Sequence, residues 1–320
     1  MKPPYVITSK ILKLISLISE RIGEIKSARL VKPPTELRKR NRIKTIQSSL
    51  GIEGNSMTIE QITDLLNNKR VLAPQKDILE VKNAIEVYSM LNDFNAYNLD
   101  TLCRAHGILM NGLIKSAGKL RHASVGILKG NDIAHIAPPG EMVYPLMNDL
   151  FEYLKKNGDL LLVKSCVFHY EFEFIHPFED GNGRMGRLWQ TMILRDYSPV
   201  FEYLPIETLI KERQQDYYTT LGKSDSKGNS TDFIEFMLEI VSMALDELLR
   251  TQNVTVTNKD RIKLFKDIID DNFFTRQDYL RHNKEISSAT ASRDLKDAVS
   301  NGIVEKSGDK RLTKYRYLKN

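Results

Sequence analysis

Phe174-Ile-His176-Pro-Phe-Glu-Asp180-Gly-Asn-Gly-Arg184-Met-Gly-Arg187-Leu-Trp189 is the densest polar constellation in the chain. An apolar helical pattern ends at Ile175, and a loop with two glycines leads into a second helix expected from Arg184 to Arg195. Glycines ahead of a helix N-terminus let successive backbone N–H groups converge on an anion, and Gly181, Asn182 and Gly183 can supply such a nest. Arg184 and Arg187 lie three apart on the first turn and can reach different phosphates with bidentate geometry. Asp180, just upstream, is a carboxylate placed to share Mg²⁺ with phosphate oxygens. His176 carries an imidazole able to take a proton from an attacking hydroxyl. Alone, each piece has a plain structural reading: a histidine at a helix end, an Asp-Gly-Asn-Gly turn, solvated arginines. Together within a dozen residues they describe phosphoryl or nucleotidyl transfer.

Working outward, hydrophobic residues recur mostly at helical spacing. From Lys10 to Ile25, the residues Ile11, Leu12, Leu14, Ile15, Ile18 and Ile22 fall largely on one face. Pro33-Pro34 breaks that pattern, because proline cannot donate a helical hydrogen bond. A helix is expected from Thr35 to Leu50, stopping near Gly51 or Gly54, and Thr58-Ile59-Glu60 opens the next. Helical patterning continues from Asp77 to Asn95, and Asp100 is a candidate cap for the helix through Leu102, His106, Leu109 and Met110. β-prone pieces on either side of Lys129-Gly130-Asn131-Asp132 signal a hairpin embedded among helices. Helices then resume over Met142–Lys156 and Asp159–Phe174. Val254 to Asn258 reads as a linker. Beyond it, three short helices (Asp260–Ile269, Thr275–Arg281, Ser288–Val299), a stop at Gly302 and two strand-like pieces (Ile303–Lys306, Leu312–Leu318) make a winged-helix module.

Charge is unevenly distributed along the 320 residues. Residues 1–56 carry 12 Lys and Arg against 4 Asp and Glu, residues 57–256 carry 20 against 27, and residues 257–320 carry 15 against 10. Separate modules with separate partners would produce that pattern, and so would a merely uneven surface. No segment has the roughly 18 consecutive apolar residues of a membrane span, and the opening MKPPYVITSK lacks a secretory h-region. Cys103 and Cys166 have no metal-ligand spacing and sit in apolar helical patterns, so they are expected to be reduced core residues. A cytoplasmic protein without membrane contact is the expectation.

Residues 176–187, HPFEDGNGRMGR, resemble without interruption the Fic-domain signature H-P-F-x-D/E-G-N-G-R-x-x-R. The resemblance implies a mainly α Fic fold with a small β-hairpin flap, and transfer of AMP from ATP to a Ser, Thr or Tyr hydroxyl of a protein. It implies that His176 deprotonates that hydroxyl, that Asp180 holds Mg²⁺, and that Gly181, Asn182 and Gly183 cradle the α- and β-phosphates. Arg184 would support the β-phosphate and Arg187 would meet the γ-phosphate. Gly183-Arg184 separates the motif from the Doc-type kinase branch, which has lysine after the asparagine. Ser49-Leu-Gly-Ile-Glu53-Gly-Asn55 resembles the family's N-terminal inhibitory motif, S/T-x-x-x-E-G/N, with Glu53 pairing with Arg187 in place of the γ-phosphate and Ser49 holding the helix. In some relatives the same glutamate positions water for removal of AMP. The hairpin at residues 125–136 matches the flap that clamps a target segment by strand addition. Tyr217 and Tyr218 fall where the family often places an aromatic near adenine, and core packing is the other reading of them. PPYVITSKILKLISLISERIGEI resembles the amino-terminal region of long Fic proteins.

The expected organisation is a helical region over residues 1–95 with an inhibitory helix at about 40–55, a catalytic core over 96–250 and a winged helix over 257–320. Winged helices commonly bind DNA through the third helix. Here that helix offers Ser292, Arg293 and Lys296, and the wing Lys310, Arg311, Lys314 and Arg316, with Asp294 and Asp297 expected to repel phosphates. Three functions follow from these readings: an auto-inhibited protein adenylyltransferase that also modifies itself, an AMP-removing hydrolase on the same site, or a DNA-binding regulator. Homo-oligomerisation is a further use for the carboxy-terminal module.

Overall fold

The computed structural model describes residues 2–27, 35–124, 126–129, 132–156, 158–253, 258–269, 272–283, 286–309 and 313–318. The features expected at Pro33-Pro34, at the Gly130-Asn131 turn, at residues 254–257 and at Lys310, Arg311 and Leu312 lie outside them. Two compact units form, Met1–Leu249 and Arg250–Asn320.

The first unit runs through α1 (Ser9–Ser27), α2 (Thr35–Ile52), α3 (Ile59–Leu66), α4 (Gln75–Ser89) and α5 (Leu99–Leu109) into the hairpin β1 (Gly126–Lys129) and β2 (Asp132–Ile136). It continues with α6 (Gly140–Lys155), α7 (Leu161–Ile175), α8 (Asn182–Tyr197), α9 (Ile206–Glu212), α10 (Gln214–Lys227) and α11 (Thr231–Asn253). Helices α7 and α8 are the centre. Almost every residue of α7 from Leu162 to Phe172 is buried, and so is most of α8 as far as Leu194. A helix apolar on all sides has to sit inside others, and that burial fixes the loop between the two, which carries the motif. Trp189 is wholly buried, and its indole N–H donates to the Ala96 carbonyl at 2.9 Å.

α2 is amphipathic only weakly, because its polar side chains are buried too. The Asn41 amide donates to the Tyr203 carbonyl at 2.8 Å, and the hydroxyls of Ser48 and Thr208 lie 3.1 Å apart. Ile43, Ile46, Leu50 and Ile52 enter the core between these anchors. The strands β1 and β2 pair antiparallel with a register shift between Ile127 and Leu128. Two local expectations are corrected. Leu12 is exposed, whereas Ile11, Ile18 and Ile22 are buried with Leu14 and Ile15 packed beside them and Ile25 extends the stripe, so the buried face of α1 is the expected one without Leu12. Asn98, not Asp100, caps α5, since its Oδ1 accepts the Thr101 N–H at 2.9 Å and leaves Asp100 in the first turn.

The second unit has α12 (Asn258–Ile269), α13 (Arg276–His282) and α14 (Ser288–Ser300), then the antiparallel strands β3 (Val304–Ser307) and β4 (Lys314–Tyr317). Its own core includes Ile262, Phe265, Phe274, Tyr279 and Leu295. Gly302, at φ +65°, follows the end of α14. Asp294 does not face solvent. It is 3% exposed and its carboxylate accepts both Nε (2.7 Å) and Nη2 (2.9 Å) of Arg261, as well as the Tyr279 hydroxyl at 3.2 Å. The expected repulsion of phosphates by Asp294 is therefore absent, because its charge is consumed inside. Asp297 accepts the Asn258 amide at 2.8 Å.

Candidate active site

α7 ends abruptly at His176, whose backbone is left-handed (φ 51°, ψ 61°). A non-glycine residue in that region is strained and needs support. Arg121 provides it. Its Nε donates to the His176 carbonyl at 2.7 Å, and Nη2 donates to those of Ile175 (2.9 Å) and Pro138 (2.8 Å). Nη1 donates to the Ala123 carbonyl at 2.6 Å. One buried guanidinium thus fixes the histidine turn and both feet of the hairpin. Nothing in the sequence around Arg121 marks it.

From His176 the chain loops through Phe178 to α8, which starts at Asn182, two residues before the expected Arg184. Gly181 is the N-cap, at φ +83°, and a Cβ there would lie 2.7 Å from the Met110 sulfur, so only glycine fits. The Asn182 side chain is turned inward. Its Oδ1 accepts the Phe178 N–H and its Nδ2 donates to the Phe178 carbonyl, both at 2.9 Å. The side chain closes the loop, while the Asn182 backbone N–H, with those of Gly183 and Arg184, belongs to the anion-attracting first turn. His106, read from the sequence only as a helix residue, steadies the nest. It stacks on Phe178 at 3.6 Å, its Nδ1 accepts the Gly118 N–H at 2.8 Å, and its Nε2–H donates to the Asp180 carbonyl at 2.9 Å. Burial pushes its pKa down to about 4, so the neutral tautomer is the working form.

Arg187 is already occupied. It is almost wholly buried, and its Nη2 donates to Glu53 Oε1 at 2.8 Å and to the Ser49 carbonyl at 2.9 Å, while Nε donates to Ser49 Oγ at 3.2 Å. Glu53, one residue beyond α2, keeps 32% of its side chain exposed. Burial would depress the Arg187 pKa, and the facing carboxylate of Glu53 more than offsets this. A Cβ on Gly183 would meet Glu53 Oε1 at 2.5 Å, which places that carboxylate directly over the nest. Glu173 is a second buried carboxyl nearby. Burial pushes it up to about 8, well above the usual carboxyl range. Arg184 contacts Glu80 Oε1 through Nη1 and Asp180 Oδ1 through Nη2, each at 3.3 Å. Asp180 is 54% exposed.

Tyr217 is corrected. It is 1% exposed, and its hydroxyl donates to His169 Nε2 at 3.0 Å, so its ring has no face to offer a base. Tyr218, packed edge-on against it, remains partly exposed. Both cysteines are free thiols, Cys166 buried and Cys103 partly so.

A helical core that presents a left-handed histidine, a glycine-capped helix N-terminus and two arginines at one mouth defines a motif-built helical domain. Residues 96–194 match the model of the Fic/DOC family. A crystal structure of a Fic family protein from Desulfovibrio desulfuricans superposes with a TM-score of 0.78 at 39% identity, covering 100% of this chain and 99% of that one. The chain belongs to the Fic family. It is 26% identical over 238 residues to protein adenylyltransferase Fic of Nematostella vectensis, covering 71% of this chain and 53% of that protein. The match to protein adenylyltransferase fic-1 of Caenorhabditis elegans is 24% identical and covers 68% of this chain and 44% of the relative. The chain thus spans about half the length of the curated relatives it matches. The Caenorhabditis elegans Fic-1 structure, at 17% identity and a TM-score of 0.62, shares the fold.

Proposed function

We propose that the chain is an auto-inhibited protein adenylyltransferase. The observation that carries this reading is the Glu53–Arg187 ion pair lying over the nest at the start of α8. ATP would set its phosphates against the N–H groups of the first turn, with the edge of Arg184 toward the β-phosphate. His176 takes the proton of a target hydroxyl, whose oxygen bonds to the α-phosphorus. The bond from that phosphorus to the bridging oxygen breaks, and pyrophosphate leaves into the field of the arginines and the helix terminus. No group of three or more His, Cys, Asp or Glu able to hold a metal occurs among the described residues. The half-exposed Asp180 suits Mg²⁺ shared with phosphate oxygens and water, and Mg²⁺ so held would neutralise phosphate charge. While Glu53 holds Arg187, the γ-phosphate has no cation to meet and ATP binds unproductively. The β1–β2 hairpin, anchored to the histidine turn by Arg121, suits docking of an extended target segment, including one from a second copy of the chain.

The test is incubation of the Glu53→Gly variant with ATP labelled at either the α- or the γ-phosphate, in cell lysate with Mg²⁺. Label retained on protein from the α-position alone supports AMP transfer. Label from the γ-position would make the protein a kinase, and loss of AMP from pre-modified protein without any transfer would make it the hydrolase.

The carboxy-terminal unit supports a second role. With Asp294 drawn inside by Arg261, α14 presents Arg293 and Lys296 outward, and Arg276 donates to its Ser292 hydroxyl at 3.0 Å. Read as a winged helix, that face suits the major groove of duplex DNA. Arg316 on the hairpin is paired with Glu305 at 2.6 Å. Reversing Arg293 and Lys296 to glutamate should weaken binding to a mixed-sequence duplex at least tenfold and flatten the dependence of log K on log salt by about two. A wild-type chain that does not retard duplex DNA at low salt would leave the unit to protein contacts. No helix among the described residues is long and apolar enough to cross a membrane.

A further inference from the structure

The buried carboxylate of Glu80 joins the two halves of the site. It projects from α4, a helix outside the signature, and is 7% exposed. Its Oε1 accepts Arg184 Nη1 at 3.3 Å, and its Oε2 accepts the Asn55 Nδ2 amide at 2.8 Å. Asn55 belongs to the turn that carries Glu53. Its Oδ1 accepts the Met57 N–H at 3.0 Å, its own N–H donates to the Leu50 carbonyl at 3.1 Å, and Nδ2 also reaches the Asp77 carbonyl at 3.1 Å. The nearest other cation, Lys76, is 3.9 Å from Oε1 and largely in solvent.

The corner of Arg184 that Glu80 takes is informative. A guanidinium grips an oxyanion bidentately along the edge formed by Nε and Nη2, as Arg261 grips Asp294 in this same chain. Glu80 occupies only Nη1, the opposite corner. Arg184 Nε is buried and has no hydrogen-bond partner, and Nη2 has only the 3.3 Å contact with Asp180. A buried N–H without an acceptor is costly unless a ligand completes it. The edge is therefore held ready for a phosphate by an anchor on its far side.

We propose that Glu80 is a positioning residue with two loads: it aims the phosphate-gripping edge of Arg184, and through Asn55 it holds the turn that keeps Glu53 on Arg187. Nucleotide affinity and the strength of the inhibition then depend on one carboxylate. Glu80→Gln keeps the size of the side chain, removes the charge from Arg184 and weakens the acceptor for Asn55. The inference rests on the nucleotide-transfer reading and extends it to regulation of that site.

The experiment measures ADP and ATP binding by calorimetry with Mg²⁺ on the full-length wild type, Glu53→Gly and Glu80→Gln, with thermal melts to establish folding. ADP has no γ-phosphate, so its affinity reports on Arg184 and the nest. The ratio of ATP to ADP affinity reports whether Arg187 has been released. The wild type should bind both about equally, and Glu53→Gly should favour ATP at least tenfold, as one charge-assisted contact gains. Glu80→Gln should weaken ADP about tenfold and still raise the ATP-to-ADP ratio several-fold above wild type. Unchanged ADP affinity in folded Glu80→Gln would overturn the positioning role. Weakened ADP with an unchanged ratio would overturn the link to the Glu53 turn. Folded wild type and Glu53→Gly that bind neither nucleotide would remove the transfer reading itself, and the inference with it.

Discussion

Replacing Glu53 with glycine is expected to raise the initial rate of AMP transfer by about 10- to 100-fold at saturating ATP, measured as label incorporated from α-labelled nucleotide. The estimate comes from what Arg187 would gain. Released from Glu53, it can meet the γ-phosphate with a charge-assisted contact of about 1.5–3 kcal/mol, which is roughly one to two decades in rate. The same substitution should lower stability. Arg187 is 1% exposed and would keep Ser49 as its hydrogen-bond acceptor without a countercharge. Breaking a fully buried pair costs about 3–5 kcal/mol; because Glu53 is one-third exposed, about 1–3 kcal/mol is the expected loss here. ATP should restore much of it, since a bound phosphate supplies the missing charge and ligand binding to the folded state stabilises by mass action. A variant that is destabilised but not activated would mean that the ion pair is structural only.

Replacing His176 with alanine in the Glu53→Gly background should lower transfer by about 10²- to 10⁴-fold, the usual worth of a positioned general base. ADP affinity should stay within about twofold of the parent, because the role proposed for the imidazole is at the target hydroxyl, which ADP lacks. The comparison is clean: alanine inherits the same left-handed backbone, and the Arg121 bonds that hold it go to carbonyl groups that remain. A fall in ADP affinity as large as the fall in rate would instead show that the turn had collapsed.

The candidate site was legible as a motif because it is contiguous. His176, Asp180, Gly181, Gly183, Arg184 and Arg187 lie on one loop and one helical turn, so their spacing alone brings them to one mouth. Glu53 was legible as a motif and meets Arg187 as expected, 134 positions away along the chain. The supporting residues were not legible. Arg121 acts through backbone carbonyls, His106 through a carbonyl and a ring face, and Glu80 through one side of a guanidinium. Each depends on contacts between distant segments and leaves no local pattern. Tyr217 went the other way. An aromatic at a suggestive position proved to be core, because a tyrosine with a buried histidine to bond can be taken inside whole. In α2 the polar anchors Asn41, Ser48 and Ser49 blur the apolar stripe, so periodicity gave the existence of the helix but not its buried face.

The anchoring of α2 also sets a clock. Burial of Ile43, Ile46, Leu50 and Ile52 contributes about 1.5–3 kcal/mol per side chain, so detaching the helix would cost roughly as much as unfolding a domain. Its far end is held as well, where the Gln214 amide donates to the Ile52 carbonyl at 3.1 Å. Only the few residues after Ile52 are left to move. An opening confined to such a turn belongs to the nanosecond-to-microsecond range of loop motion, far faster than a turnover of roughly 1–10³ per second. An opening free energy of about 2–3 kcal/mol leaves on the order of 0.6–3% of molecules unlocked at any instant. Every molecule would sample that state many times within one catalytic cycle. Output would then be set by the fraction of time each molecule spends unlocked, a quantity that a partner or a ligand can adjust smoothly, in the manner of a dimmer and not of a latch that waits to be sprung.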